Sequence, residues 1–216
     1  MKNVVATRQR GITDVEKMRG ATGIILAGGK NLRLRVNKLS LRVDGELILE
    51  KMLELFGQLF EKTLVSVAAT TQVRLSGCEI VKDQFPGSLG GIYSGLNAAR
   101  TDVAFVAACD MPFINRELVR YEAGFAWDYD VVVPRGRDGL EPLHAFYSRN
   151  CLEHIRAQLC ENRLTITSFF DKVRVKEIGP DEIAQFDADG LSFFNINTQA
   201  DLLKAEEIKR WMAVRS

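Results

Sequence analysis

The first candidate for chemistry is a glycine pair that follows a short apolar run. Residues 23–27 are small or apolar, which is typical of a strand buried on both faces. Gly28 and Gly29 lack a Cβ atom, so several backbone N–H groups can face one anion there. Arg33 and Lys38 add positive charge for the rest of a triphosphate. The segment has neither the GxxxxGK[ST] spacing of a P-loop nor the GxGxxG spacing of a Rossmann dinucleotide site. The pattern therefore favours another nucleotide-binding fold. The alternative is a glycine pair that only ends a strand, next to solvated charged residues.

The second candidate is Asp110, a carboxylate that follows the apolar run 103–108. At the carboxyl end of a strand such a group can coordinate Mg²⁺, which takes one or two carboxylates together with water and substrate phosphate oxygens. The ion would neutralise an α-phosphate during nucleophilic attack. The alternative is an aspartate that only turns the chain before Pro112.

The third candidate is Asp83, which lies where a strand end meets a glycine-rich turn and the start of a helix, in residues 82–96. Small residues in such a turn let a flat base approach the backbone. The carboxylate could accept hydrogen bonds from the amino and imino groups of guanine, or from a ribose hydroxyl. A helix-initiating loop with a solvated aspartate is the alternative.

Alternating strands and helices are expected to position these residues. Strands are predicted at 23–27, 63–68, 79–81, 104–108, 130–133, 143–147 and 173–178, and helices at 49–60, 89–100, 115–126, 148–159, 164–170 and from 198 onward. Asn115, Ser148 and Thr198 are the expected helix caps. This order predicts one α/β domain, residues 21–216, after a flexible N-terminal arm, residues 1–20. Its central sheet should be mostly parallel and covered by helices on both faces, with an antiparallel edge formed around the turn 137–139.

Bulk composition excludes several classes of protein. The net charge is +1 and 26% of the 216 residues are charged, which gives no reason to expect a nucleic acid or an anionic membrane as partner. The apolar runs are too short for a membrane-spanning helix. The four cysteines show no CxxC spacing, which fits a reduced cytoplasmic setting.

Five segments resemble, in order and spacing, the signature stretches of the molybdenum cofactor guanylyltransferases. They are residues 26–38, 82–96, 108–113, 141–149 and 193–202. The resemblance covers about residues 23–203 and implies a three-layer α/β/α, Rossmann-like nucleotidyltransferase fold. The loop 33–38 departs from the family pattern, because it is one residue short, lacks the second glycine cluster and has Asn37 where an acid is usual. Ala68 also stands about where a guanosine-contacting asparagine is expected.

The resemblance also implies roles for individual residues. GTP would be bound by Leu26, Ala27, Gly28, Gly29, Lys38, Asp83 and Asp110. Asp110 would also bind Mg²⁺, and Arg33, Lys38 and Asp110 would be the catalytic residues. Asn195 and Asn197 would lie near the reacting groups or the pterin of molybdopterin; polar capping before the terminal helix is their alternative role.

The implied reaction is the transfer of GMP from GTP to molybdopterin, the molybdenum cofactor, with release of pyrophosphate. Phosphates are already anionic nucleophiles at neutral pH, so catalysis would be mainly positioning and electrostatics, and His144 and His154 are expected to be structural. The implied partners are the two substrates and molybdoenzyme maturation proteins, and a monomer or weak homo-oligomer is expected. The alternatives are a related cytidylyl- or sugar-phosphate nucleotidylyltransferase, and a non-catalytic protein that binds nucleotide or pterin and delivers cofactor.

Overall fold

The computed structural model of the chain describes residues 17–28, 30–31 and 36–215. The strands in chain order are β1 (Met18–Leu26), β2 (Lys30–Asn31), β3 (Val36–Asn37), β4 (Arg42–Val43), β5 (Glu46–Leu47), β6 (Phe60–Val67), β7 (Glu79–Lys82), β8 (Val103–Ala108), β9 (Val131–Gly136), β10 (Gly139–Leu140), β11 (His144–Ser148) and β12 (Val175–Ile178). The α-helices are α1 (Ile48–Leu59), α2 (Gly87–Ala99), α3 (Arg116–Ala123), α4 (Cys151–Cys160), α5 (Pro180–Ile183) and α6 (Gln199–Arg215). Most of the expected arm, and also Gly29 and Arg33, lie outside the described residues.

Eight strands form the central sheet, in the order β10-β9-β11-β8-β1-β6-β7, with β12 paired to β9. β1 lies between β8 and β6 and is parallel to both, and β7 extends this parallel set. β11 runs antiparallel to its neighbours β8 and β9. The carboxyl ends of β1, β6, β7, β8 and β9 therefore meet at one edge of the sheet, where open α/β folds bind their ligands.

Successive side chains of each strand point to opposite sides of the sheet. Helices cover both sides, so both faces of the sheet are buried. Ile24 of β1 packs toward α2 and α4, while Ile25 packs toward α1 and α3. In β8 all six residues are buried. Helix α1 is amphipathic, and Leu49, Met52 and Phe56 on its apolar face are buried in the core. The three-layer α/β/α architecture predicted from the sequence is confirmed.

Two predicted features need correction and one boundary moves. The antiparallel strand β11 lies inside the sheet rather than at its edge, and only the short strand β10 is an antiparallel edge strand. Ser148 does not cap α4: Asn150 is the residue before the helix, and the Ser148 hydroxyl instead accepts from the Asn150 N–H. β1 begins at Met18, whose side chain is buried, so the last residues assigned to the arm belong to the sheet.

Helices α3 and α6 have the N-terminal caps that were expected from the sequence. The Asn115 side chain accepts hydrogen bonds from the N–H groups of Glu117 and Leu118 at the start of α3. Thr198 and Asp201 satisfy each other's backbone N–H groups at the start of α6, a reciprocal cap of the capping-box type. Residues 166–172 form a 3₁₀ helix where a helix at 164–170 was expected. Within the described ranges, no helix combines the length and apolarity needed to cross a bilayer.

Asp130 joins three elements at the opposite edge of the sheet. One carboxylate oxygen accepts from the backbone N–H of Arg174 at 3.0 Å and from its Nε at 3.1 Å, and the other accepts from Asn150 Nδ2 at 2.8 Å. Hydrogen bonds from Arg174 are the largest influence on the Asp130 carboxyl and hold its pKa far below the usual range, against the opposing effect of burial. The ionised carboxylate therefore attaches β12 and the start of α4 to β9.

We expect Asp130→Ala to lower the free energy of unfolding by about 2 kcal/mol at pH 7, because charge-assisted hydrogen bonds to a mostly buried carboxylate are lost. A lowered folded-state pKa stabilises the protein above the unfolded-state pKa of about 4 and loses this effect as pH falls. The difference between variant and parent should therefore shrink between pH 7 and pH 3 in urea titrations. Asp171→Ala, at an exposed position of the 3₁₀ helix Ile166–Lys172, is the control, and an equal difference at both pH values would contradict this assignment.

Candidate functional site

Three strand ends bring the candidate residues together. Leu26 of β1 is in register with Ala108 of β8, and the Cys109 N–H donates to the Leu26 carbonyl at 3.1 Å. On the other side, the Ala27 N–H donates to the Ser66 carbonyl at 2.8 Å. The chain segments that follow β1 and β8 therefore leave the sheet side by side. Gly28 and Asp110, each two residues beyond the register pair, lie at the same edge.

Asp110 is a buried acidic residue at this edge, with 2% of its surface exposed. Its Oδ2 lies 2.6 Å from Lys38 Nζ, and the Lys38 side chain is largely buried as well. A carboxylate can be buried in this way only when a partner offsets the loss of hydration. Lys38, in the short 3₁₀ helix Lys38–Ser40, is that partner, and two residues predicted separately from the sequence are in direct contact.

The second oxygen of the same carboxylate, Asp110 Oδ1, is buried and has no hydrogen-bond partner among the described residues. A buried acceptor of this kind needs an explanation, and a divalent cation is one that fits carboxylate chemistry. No group of three or more His, Cys, Asp or Glu residues in the described part of the chain could hold a metal ion by itself. A metal here would take one carboxylate from the protein and its other ligands from water and phosphate, which is the usual arrangement for Mg²⁺.

A cavity of about 610 Å³ opens beside this pair. Its walls include four predicted residues, Leu26, Gly28, Lys38 and Asp83. The side chain of Ala27 is buried in the core on the other face of the sheet, so this residue can contribute only its backbone. The cavity also contains Ala68, the position where the family pattern suggested an asparagine.

Asp83 is held in the cavity wall by Ser66. The Ser66 hydroxyl donates to Asp83 Oδ1 and lies 3.3 Å from the Gly91 carbonyl, and the Asp83 N–H donates to the Val67 carbonyl at 2.9 Å. Burial raises the pKa of the Asp83 carboxyl, and the Ser66 hydrogen bond and the charge of Lys82 oppose this effect. Sequence reasoning missed Ser66, although a hydroxyl at the end of an apolar strand was a visible signal.

Two glycines let side chains of the cavity wall lie close against the backbone. A Cβ atom on Gly28 would lie 2.7 Å from Asp83 Oδ2, and one on Gly91 would lie 3.1 Å from the Leu26 side chain. Gly87, at the start of α2, has a φ of +80°, in the left-handed region that glycine adopts easily. The wall therefore includes backbone at these glycines, with the first N–H groups of α2 on one side.

A second cavity of about 500 Å³ lies between the β9–β10 hairpin, α5 and α6. Asn195 lies in its wall and donates from Nδ2 to the Phe193 carbonyl at 2.9 Å. The next residue, Ile196, donates its N–H to the Asp110 carbonyl at 3.0 Å. Asn195, a predicted site residue, therefore directly precedes the residue that is hydrogen-bonded to Asp110. Asn197 is exposed and its N–H donates to Asp201 Oδ2 at 3.0 Å, which favours the helix-capping alternative for this residue.

Neither histidine is among the described residues that line the two cavities, although His144 packs behind the wall of the second one. His144 is fully buried, with Nε2 at 3.3 Å from Glu122 Oε1, and its ring packs edge-on against Phe105 and Phe193. Burial raises the pKa of Glu122, and the contact with His144 opposes this effect. His154 lies on α4, in the layer behind the sheet. These positions agree with the structural roles expected for both residues.

Comparisons with known proteins now place the chain. A family model described as a MobA-like NTP transferase domain matches residues 23–175. A molybdenum cofactor guanylyltransferase of Desulfosudis oleivorans is 37% identical over 88% of this chain and 96% of its own length. A probable molybdenum cofactor guanylyltransferase of Pelotomaculum thermopropionicum is 35% identical, over 86% and 91%. The crystal structure of molybdopterin-guanine dinucleotide biosynthesis protein A from Archaeoglobus fulgidus superposes with a TM-score of 0.76 at 26% identity, covering 88% of this chain and 98% of that one. The chain therefore belongs to the molybdenum cofactor guanylyltransferase family of nucleotidyltransferases and has the MobA-like NTP transferase fold.

Proposed function

We propose that this protein transfers GMP from GTP to molybdopterin and so forms molybdopterin guanine dinucleotide and pyrophosphate. The observation that carries the proposal is the Lys38–Asp110 ion pair, whose lysine lines the same cavity as Gly28 and Asp83. A cation, a buried carboxylate with one oxygen unpaired among the described residues, and a wall that contains glycine backbone are together suited to a magnesium-bound nucleoside triphosphate.

The cavity suggests how GTP would lie. The triphosphate would bind beside Lys38, which provides charge, with the backbone after β1 providing N–H groups. The guanine would bind against Asp83, whose carboxylate can accept from both its ring N–H and its exocyclic amino group. The α-phosphate would then lie near Asp110, the ion-pair partner of Lys38.

The chemistry needs little from the protein beyond position and charge. A phosphate oxygen of molybdopterin attacks the α-phosphorus of GTP, a new P–O bond forms, and the bond to the bridging oxygen breaks with its electron pair leaving on pyrophosphate. Lys38 stabilises the growing negative charge, and Asp110 Oδ1 is the atom that would hold Mg²⁺. When bound, the metal ion neutralises phosphate charge in the transition state. Arg33, which lies outside the described residues, is proposed to act at the same phosphates.

The acceptor is proposed to approach from the second cavity. Asn195 lines that cavity, and the adjacent Ile196 is hydrogen-bonded to Asp110, so an acceptor phosphate near Asn195 would meet the nucleotide at the metal-binding carboxylate. Asn197 remains a second proposed contact for the acceptor.

The proposed setting of the protein is the reducing cytoplasm. It is supported by four free cysteines, two of which, Cys109 and Cys151, have pKa values raised by burial to about 12.

Catalysis is tested by incubating the pure protein with GTP, Mg²⁺ and molybdopterin and measuring pyrophosphate and dinucleotide together. We expect Asp110→Asn to lower kcat/KM about 100-fold or more, because a metal ligand and its charge are lost. Asp128→Asn, at an exposed position, should behave as the parent protein. Near-normal turnover by Asp110→Asn would contradict the metal role, and GTP binding without pyrophosphate release would favour a cofactor-delivery protein.

Base recognition by Asp83 is tested with nucleotide analogues in binding assays. ITP lacks the exocyclic amino group of GTP, so we expect it to bind the parent protein about 10-fold more weakly, a loss typical of one hydrogen bond to a charged group. Asp83→Asn should bind GTP and ITP equally weakly, and CTP and UTP should bind poorly to both proteins. A loss of affinity for 2′-deoxy-GTP instead of ITP would show that Asp83 contacts the ribose.

Competition between Lys38 and the metal ion is tested without nucleotide. Because Lys38 Nζ and a divalent cation would share one carboxylate, removal of the lysine charge should favour the metal. We expect Lys38→Met to bind Mn²⁺ about 10-fold more tightly than the parent, as judged by electron paramagnetic resonance, while its GTP affinity falls. Lys38→Arg keeps the charge and should retain the parent affinity for Mn²⁺. Equal or weaker Mn²⁺ binding by Lys38→Met would show that Asp110 is not the metal ligand.

A further inference from the structure

The second cavity contains a carboxylate that the proposed reaction has not yet used. Glu141 lies between β10 and β11, is half-buried, and forms part of the cavity wall. The backbone fixes its position from both sides, because its N–H donates to the Pro134 carbonyl at 2.9 Å and its carbonyl accepts from the His144 N–H at 2.9 Å. The main chain therefore holds Glu141 at the cavity independently of its side chain.

Gly136 lets the Glu141 carboxylate lie close against the β9–β10 hairpin. A Cβ atom on Gly136 would be 2.7 Å from Glu141 Oε1, so any other residue at this position would displace the carboxylate. Burial raises the pKa of Glu141, and the nearby His144 opposes this effect while Asp138 adds to it. A carboxylate kept partly away from water is a strong acceptor for a ligand that can donate two hydrogen bonds.

Two aromatic residues share the cavity wall with Glu141. Phe193 and Phe194 both line the cavity, and Lys204 Nζ lies 5.7 Å from the centroid of the Phe194 ring. Asn195 follows them in the same wall, and the N–H of the next residue, Ile196, donates to the Asp110 carbonyl. A flat ring bound in this cavity would therefore have aromatic residues, a carboxylate and a connection to Asp110 within one wall.

We propose that Glu141 recognises the aminopyrimidinone edge of the acceptor's pterin ring, accepting hydrogen bonds from the ring N–H and the exocyclic amino group. This inference rests on the proposed function for the identity of the acceptor. It assigns one carboxylate to each substrate, since guanine and pterin carry the same hydrogen-bonding edge. Asp83 reads that edge in the nucleotide cavity and Glu141 reads it in the second cavity.

The test measures pterin binding separately from turnover. The probes are 6-hydroxymethylpterin and lumazine, which has the same bicyclic ring with oxygen in place of the amino group, and both are titrated by fluorescence with GTP saturating the first cavity. We expect the parent to bind the pterin about 10-fold or more tightly than lumazine, and Glu141→Gln to lose this preference. Gly136→Ala, which displaces the carboxylate without removing it, should weaken pterin binding in the same direction.

Controls separate a direct contact from a general effect on the fold. Glu153→Gln makes the same chemical change at an exposed position on α4 and should bind pterin as the parent does. Glu141→Gln should keep the parent affinity for GTP, and its KM for molybdopterin should rise about 10- to 100-fold. Unchanged pterin affinity in Glu141→Gln, equal loss of GTP affinity, or no pterin binding by the parent would each overturn the proposal.

The same experiment distinguishes this inference from the proposed function. Glu141-dependent pterin binding by a protein that makes no dinucleotide would support the inference and reject guanylyl transfer. Dinucleotide formation that is indifferent to Glu141→Gln would support guanylyl transfer and reject the inference.

Discussion

The edge of the sheet that is proposed to hold the active site depends on one buried ion pair, between Lys38 and Asp110. The parallel sheet places Asp110 at the end of a fully buried strand, where an isolated carboxylate would lose its hydration without compensation. Lys38 provides that compensation through Oδ2, and Oδ1 remains as a buried acceptor. The ion pair therefore holds the carboxylate in place, and Oδ1, which has no partner among the described residues, is the oxygen that would hold the proposed metal ion.

The strand order explains why two cavities lie along the same edge. β11 is inserted antiparallel between β8 and β9, so β9 still runs parallel to β8 and its carboxyl end reaches the same side of the sheet. The cavity proposed to bind the nucleotide lies around the ends of β1, β6 and β7, and the second cavity lies beside the β9–β10 hairpin. Asp110, at the end of β8, lies between them in strand order, which fits the proposed transfer of a group between two substrates.

Much of this arrangement could be predicted from the sequence because it is local. Apolar runs identified the main strands, Asn115 and Thr198 identified helix starts, and carboxylates placed just after strands identified Asp83 and Asp110. The interior position of β11 could not be predicted, since strand order depends on long-range packing that no local pattern encodes. Glu141 and Ser66 were missed for a related reason: a lone glutamate after a turn, or a serine in a strand, acquires meaning only when the fold shows which cavity it lines.

The most direct test of the account is a crystal structure of the protein with Mn²⁺ and a GTP analogue that has a methylene group between the α- and β-phosphates. We expect an anomalous peak about 2.1 Å from Asp110 Oδ1, with the triphosphate beside Lys38 and the guanine edge at Asp83. A metal ion bound away from Asp110, with the Lys38–Asp110 pair undisturbed and the nucleotide outside the cavity, would contradict it.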